Sequence, residues 1–110
     1  MKIIGSSEDS SVITAPGRER RVAHSENLMV VVWDFYDGPA SEPDPLHTHP
    51  HEQVTYVAEG EVLFFAGEES ARLGPGDMVV VPPGEPHSIQ TLGNRVRLVD
   101  TFTPLRDDFL

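Results

Sequence analysis

The chain has 110 residues and a mass of 12.1 kDa, with 38% hydrophobic and 24% charged positions. That is the length of one domain, long enough to bury a core without disulfide staples. Eight Lys and Arg against eighteen Asp and Glu give a formal charge of −10, a balance that repels phosphate backbones and anionic bilayers and so excludes nucleic acid and membrane as partners. Cysteine is absent, which removes disulfides, thiolate nucleophiles and Cys-ligated metals. The apolar runs are too short to span a bilayer. The opening MKIIGSSEDSS turns polar after two isoleucines, unlike the core of a signal peptide, so a cytoplasmic location is expected.

In chain order, residues 1–11 read as a flexible N-terminal arm and 12–110 as one folded domain. Nine Gly and ten Pro are spread between apolar runs, the mark of short strands and tight turns. The run 28–36 (LMVVVWDFY) is β-branched and aromatic and predicts a strand. Residues 38–45 (GPASEPDP) carry three prolines and predict a loop. Strands follow at 53–58 and 61–66, joined by a tight hairpin at Glu59-Gly60, then at 70–73 and 78–81. The last two, about 87–92 and 95–103, flank a turn at Gly93-Asn94. No long window holds a helical period, so the fold class is all-β, a barrel or sandwich. Val12-Ile13-Thr14, behind the arm, offers an exposed edge for strand addition, and a homodimer is the expected assembly.

Three of the five histidines, His47, His49 and His51, lie within LHTHPHEQ. On an extended strand His47 and His49 share a face about 7 Å apart. Gln53 has the same parity, and His87 follows the Pro82-Pro83-Gly84 turn. Three imidazoles and one amide oxygen with open positions suit a single divalent transition metal. His51, after a proline, reads as a non-ligand and His24 as a surface residue. Trp33 and Phe35, alternating with Met29 and Val31, read as core or interface.

These spacings carry a resemblance. His47-x-His49-x3-Gln53-x6-Gly60 resembles the first motif of the cupins, and Gly76-x5-Pro82-x-Gly84-x2-His87-x3-Thr91 resembles the second. The implied fold is a single-domain double-stranded β-helix, a jelly-roll-like barrel. Two positions depart from the pattern. Ser41 stands where the first motif opens with Gly, and Gln53 stands at the usual glutamate ligand. Glu52 has the wrong parity to replace it. Neutral ligands leave the metal's charge uncompensated, which favours an anionic ligand and Lewis-acid chemistry over oxidation of the metal.

In the tail, Val96, Leu98, Asp100 and Phe102 share one strand face. An acid in an apolar row is either a structural Asp with buried partners or a functional acid with a raised pKa. The run Asp100-Thr101-Phe102-Thr103-Pro104-Leu105-Arg106-Asp107-Asp108-Phe109-Leu110 is similar to the tail of the pectin-degradation (KdgF-type) cupins, as are residues 49–53 and 56–60. That resemblance implies isomerisation of 4,5-unsaturated monouronates, from pectin or alginate, to linear 4-deoxy-5-keto uronates. It implies Asp100 as acid/base, Phe102 lining the sugar pocket, and Arg106 pairing with the substrate carboxylate. His47, His49, Gln53 and His87 would hold the metal, with Ni, Zn, Mn or Fe all compatible. A salt bridge from Arg106 to Asp107 or Asp108 is the plain structural alternative. Two other functions stay open: a metal-dependent dioxygenase of an enediol or flavonoid-like substrate, and a non-catalytic sugar-binding or sensor domain.

Overall fold

A computed structural model describes residues 1–7 and 10–110; Glu8 and Asp9, inside the expected arm, lie outside the described residues. Strands run in the order β1 (Ser11–Ala15), β2 (Arg18–His24), β3 (Met29–Phe35), β4 (Glu52–Glu59), β5 (Val62–Ala66), β6 (Glu69–Leu73), β7 (Met78–Val81), β8 (His87–Thr91) and β9 (Val96–Thr103). They build two facing layers, a six-stranded sheet ordered β1-β2-β3-β9-β4-β7 and a three-stranded sheet ordered β6-β5-β8. A 3-10 turn at Asp107–Phe109 ends the chain. The all-β expectation holds, and β7 has the expected bounds.

Strand alternation explains how the layers close. In β4, Gln53, Thr55 and Val57 are buried while Glu52, Val54 and Tyr56 face solvent. In β3, Met29, Val31 and Phe35 point inward, and in β9 Val96, Leu98 and Phe102 do the same. One apolar cluster, Phe35, Val57, Val62, Val96 and Leu98, fills the space between the sheets. A second, Met29, Val31 and Phe102, packs below the C-terminal tail. Each such side chain contributes about 1.5–3 kcal/mol on leaving water. The hairpin between β4 and β5 turns at Gly60, whose φ of +77° is left-handed. A Cβ there would lie 2.3 Å from the Arg95 carbonyl oxygen, so only glycine fits.

β2 is not among the strands expected from the sequence, and its register with β3 is unbroken from Arg18↔Phe35 to His24↔Met29. The segment RERR shows no apolar alternation, because arginines take the inward positions. Arg18 lies 5.0 Å over the Phe35 ring, and Arg20 lies 5.6 Å and 4.5 Å over Trp33 and Phe109. A guanidinium face on an aromatic ring does here what a branched aliphatic does elsewhere. β1 begins at Ser11, the last residue assigned to the arm, and pairs with β2 of its own chain. Its other edge ends the sheet, with Val12 54% and Ile13 75% exposed.

Candidate metal centre and cavity

His47 and His49 do not lie on a regular strand. His47 forms an isolated antiparallel bridge with His87, its N–H donating to the His87 carbonyl at 3.1 Å and its carbonyl accepting from the His87 N–H at 2.9 Å. The His49 carbonyl accepts from the Gly84 N–H at 2.9 Å. His47 and His49 therefore do not share a strand face as expected; the two rings converge because each residue is tied separately to the 84–87 segment. Their ring centroids stand 5.9 Å apart, with His87 4.2 Å from His47 and 4.9 Å from His49. One ring nitrogen from each of the three lies within 4.8 Å of the others.

The donor set fits a divalent ion. His87 donates its Nδ1–H to the Glu85 carbonyl at 2.8 Å, which leaves Nε2 as a buried lone pair with no partner among the described residues. Gln53 donates from Nε2 to Thr55 Oγ1 at 2.9 Å, so its Oε1 is the atom turned to His49 Nε2, 2.8 Å away. Partial burial, followed by His87 and Arg106, lowers the pKa of His47, although the residue as a whole is exposed. Burial is also the largest cause for His49, outweighing the Gln53 bond. Both imidazoles are therefore neutral near pH 7, the form that ligates.

A cavity of about 370 Å³ opens beside this group, lined among others by His47, Gln53, His87, Asp100, Phe102 and Arg106. Asp100 accepts a hydrogen bond on Oδ1 from the Thr55 hydroxyl at 2.6 Å. Burial pushes its pKa up to about 6, against the opposing Thr55 bond, the Arg106 charge and the Trp33 indole. Arg106 is held by Asp108, Nη2 to Oδ2 at 2.8 Å, and lies over Phe102 and Phe109 at 5.2 Å and 4.2 Å. The salt bridge and the cavity position thus coexist, since a guanidinium has donors to spare. Phe102 is 1% exposed, at once core and cavity wall.

Residues 33–102 match the Cupin domain family. The chain belongs to the cupin family. It is 33% identical over 94 residues to the pectin degradation protein KdgF of Dickeya dadantii, covering 84% of this chain and 83% of that protein. The structure of KdgF from a Halomonas species aligns with a TM-score of 0.88 at 31% identity, over 100% of this cupin and 99% of that chain. An RmlC-like cupin from Shewanella frigidimarina aligns at 0.81 and 30% identity, over 96% and 94%. A 54-residue stretch, 48% of this chain and 27% of the relative, is 43% identical to the dimethylsulfoniopropionate lyase DddQ of Ruegeria pomeroyi.

The remaining expected residues of this cupin fall as follows. His51 stays out of the histidine triad and bonds the Leu105 carbonyl through Nε2 at 3.0 Å, tying down the tail. His24 is exposed, and its Nδ1 meets the neighbouring Ser25 carbonyl at 3.0 Å. Trp33, read as core or interface, lines the cavity and faces Asp100. Thr55 was missed, although its parity with Gln53 in β4 was a usable signal. Arg18, anchored by Asp37 and Asp44 at 2.9 Å and 2.8 Å, also reaches the cavity from the unanticipated β2.

Proposed function

We propose that this cupin is a metal-dependent isomerase of 4,5-unsaturated monouronates, yielding linear 4-deoxy-5-keto uronates. The observation that carries the reading is that Asp100, with its raised pKa, shares one cavity with His47, Gln53, His87 and Arg106. The likeness to KdgF over most of the chain supports it.

His47, His49, Gln53 and His87 are the residues we assign to the metal, and Ni, Zn, Mn or Fe each suit that set. A bound ion would supply positive charge that favours an anionic sugar and Lewis-acid polarisation of its oxygens. Arg106 pairs with the uronate carboxylate, and Phe102 packs against the ring. Asp100 gives its proton to C4 of the enol ether while the oxygen of water bonds to C5, and the proton that water sheds returns to the Asp100 carboxylate. Cleavage of the bond from C5 to the ring oxygen then leaves a ketone at C5 and a hydrated aldehyde at C1, which loses the water. A pKa of about 6 leaves about one Asp100 in ten protonated at pH 7, far more than an ordinary carboxyl.

The test follows the enol-ether absorbance of an unsaturated monouronate, with metal-loaded and metal-stripped protein, while recording oxygen uptake. Metal-dependent loss of the band without oxygen consumption supports the isomerase. Oxygen consumption points instead to the dioxygenase, and binding without turnover to a sugar sensor. Dimethylsulfoniopropionate serves as the comparison substrate.

We further propose a homodimer in which a second copy adds along the free edge of β1, and a cytoplasmic location, which suits a chain without cysteine.

A further inference from the structure

We propose that Thr55 is a positioning residue that directs its single hydroxyl proton to Oδ1 of Asp100, and that the amide of Gln53 makes that proton available. The inference rests on the acid role assigned above to Asp100.

Thr55 is 1% exposed and Gln53 is 5% exposed, so the chain of contacts between them runs out of bulk water. Gln53 Nε2 stands 2.9 Å from Thr55 Oγ1, and Thr55 Oγ1 stands 2.6 Å from Asp100 Oδ1. An amide nitrogen only donates, and a hydroxyl has one proton with two acceptor lone pairs. Thr55 therefore accepts from Gln53 and spends its proton on Asp100. Oδ1 is committed as an acceptor in either charge state, which leaves Oδ2 to carry the proton that the acid delivers. A hydroxyl donor also selects one rotamer of the carboxyl group, a pre-organisation that ordinary burial does not supply. A carboxylate at position 53 would be an acceptor only and would compete with Asp100 for the same proton.

The molecule contains its own reporter. Trp33 is the single tryptophan, and its side chain lies beside the Asp100 carboxyl in the same cavity. One indole cross-peak in a nitrogen–proton correlation spectrum thus reads the placement of Asp100 without any substrate.

The experiment compares Thr55→Val, which keeps the shape and loses the hydroxyl, with Thr55→Ser, which keeps the hydroxyl. Asp100→Asn is the benchmark, and bound metal is measured throughout. Thr55→Val is expected to lower kcat about 10- to 100-fold, with KM within about threefold and metal content unchanged, and to displace the indole peak. Thr55→Ser is expected to restore the peak and most of the rate. Thr55→Ala repeats the test in the event that the valine variant does not fold. Gln53→Glu is expected to displace the indole peak in the same way, and an unmoved peak there overturns the role given to the amide. A wild-type rate and peak in Thr55→Val overturn the positioning role while an inactive Asp100→Asn keeps the acid reading alive. Full activity in Asp100→Asn removes the acid reading itself, and the indole peak then decides Thr55 alone.

Discussion

His47 and His87 exchange two backbone hydrogen bonds, at 3.1 Å and 2.9 Å, and their rings stand 4.2 Å apart. The pairing anchors a proline-rich loop to β8 and sets the spacing of two nitrogens before any ion arrives. His87→Ala removes a buried lone pair but leaves the backbone pair intact. It should lower metal affinity by more than the roughly 10- to 100-fold that loss of an outer hydrogen-bond partner costs. Elemental analysis after dialysis reads this directly. Glu52, exposed on the opposite face of β4, is the control, and Glu52→Gln should leave the metal content at the wild-type level.

Asp100 makes stability depend on pH in a calculable direction. Its folded pKa of about 6 lies above the ordinary 3.8, so the folded state binds the proton more tightly than the unfolded state does. That contribution is full below the unfolded pKa and is lost as pH rises through the folded one. From pH 4 to pH 8 the wild type should therefore lose about 2–3 kcal/mol that Asp100→Asn does not lose. Urea unfolding of both proteins at the two pH values tests this; parallel pH dependences would remove the perturbed carboxyl from the account.

Arg106 lies between a carboxylate and two aromatic rings, with donors left for a ligand. Arg106→Ala should raise KM for an unsaturated monouronate about 10- to 100-fold, the value of a charge-assisted hydrogen bond, and lower kcat less. Arg106→Lys should recover only part of the affinity, because an ammonium neither stacks nor binds in a fork. Steady-state kinetics on the two variants decide; an unchanged KM in the alanine variant would mean the Asp108 pair is purely structural.

The edge of β1 exposes Ile13 at 75% and Val12 at 54%. Charge on an edge strand blocks strand addition at little cost to the strand itself. Ile13→Lys should shift a dimer to monomer in light scattering while leaving the far-ultraviolet dichroism of the sheet in place. A wild-type monomer mass at working concentration would discard the edge-paired dimer.

The strand alternation, the turn glycines and the histidine spacing are local properties, and the sequence by itself determined from them the all-β class, the cupin motifs and the shared face of Asp100 and Phe102. Alternation within one strand needs only the pleat. What lay beyond reach depends on which residue stands opposite which. Thr55 meets Asp100 because β4 and β9 pair in the register Thr55↔Asp100. A shift of one residue there would turn the row to the other face, and nothing in either strand alone announces it. The charged run of β2 hid a strand because cation–aromatic contacts with Phe35, Trp33 and Phe109 replaced the apolar signal. The convergence of His47 and His49 likewise came from separate backbone ties to the 84–87 segment rather than from strand geometry. Tertiary structure decided those features, because each is a contact whose two halves are written far apart in the chain.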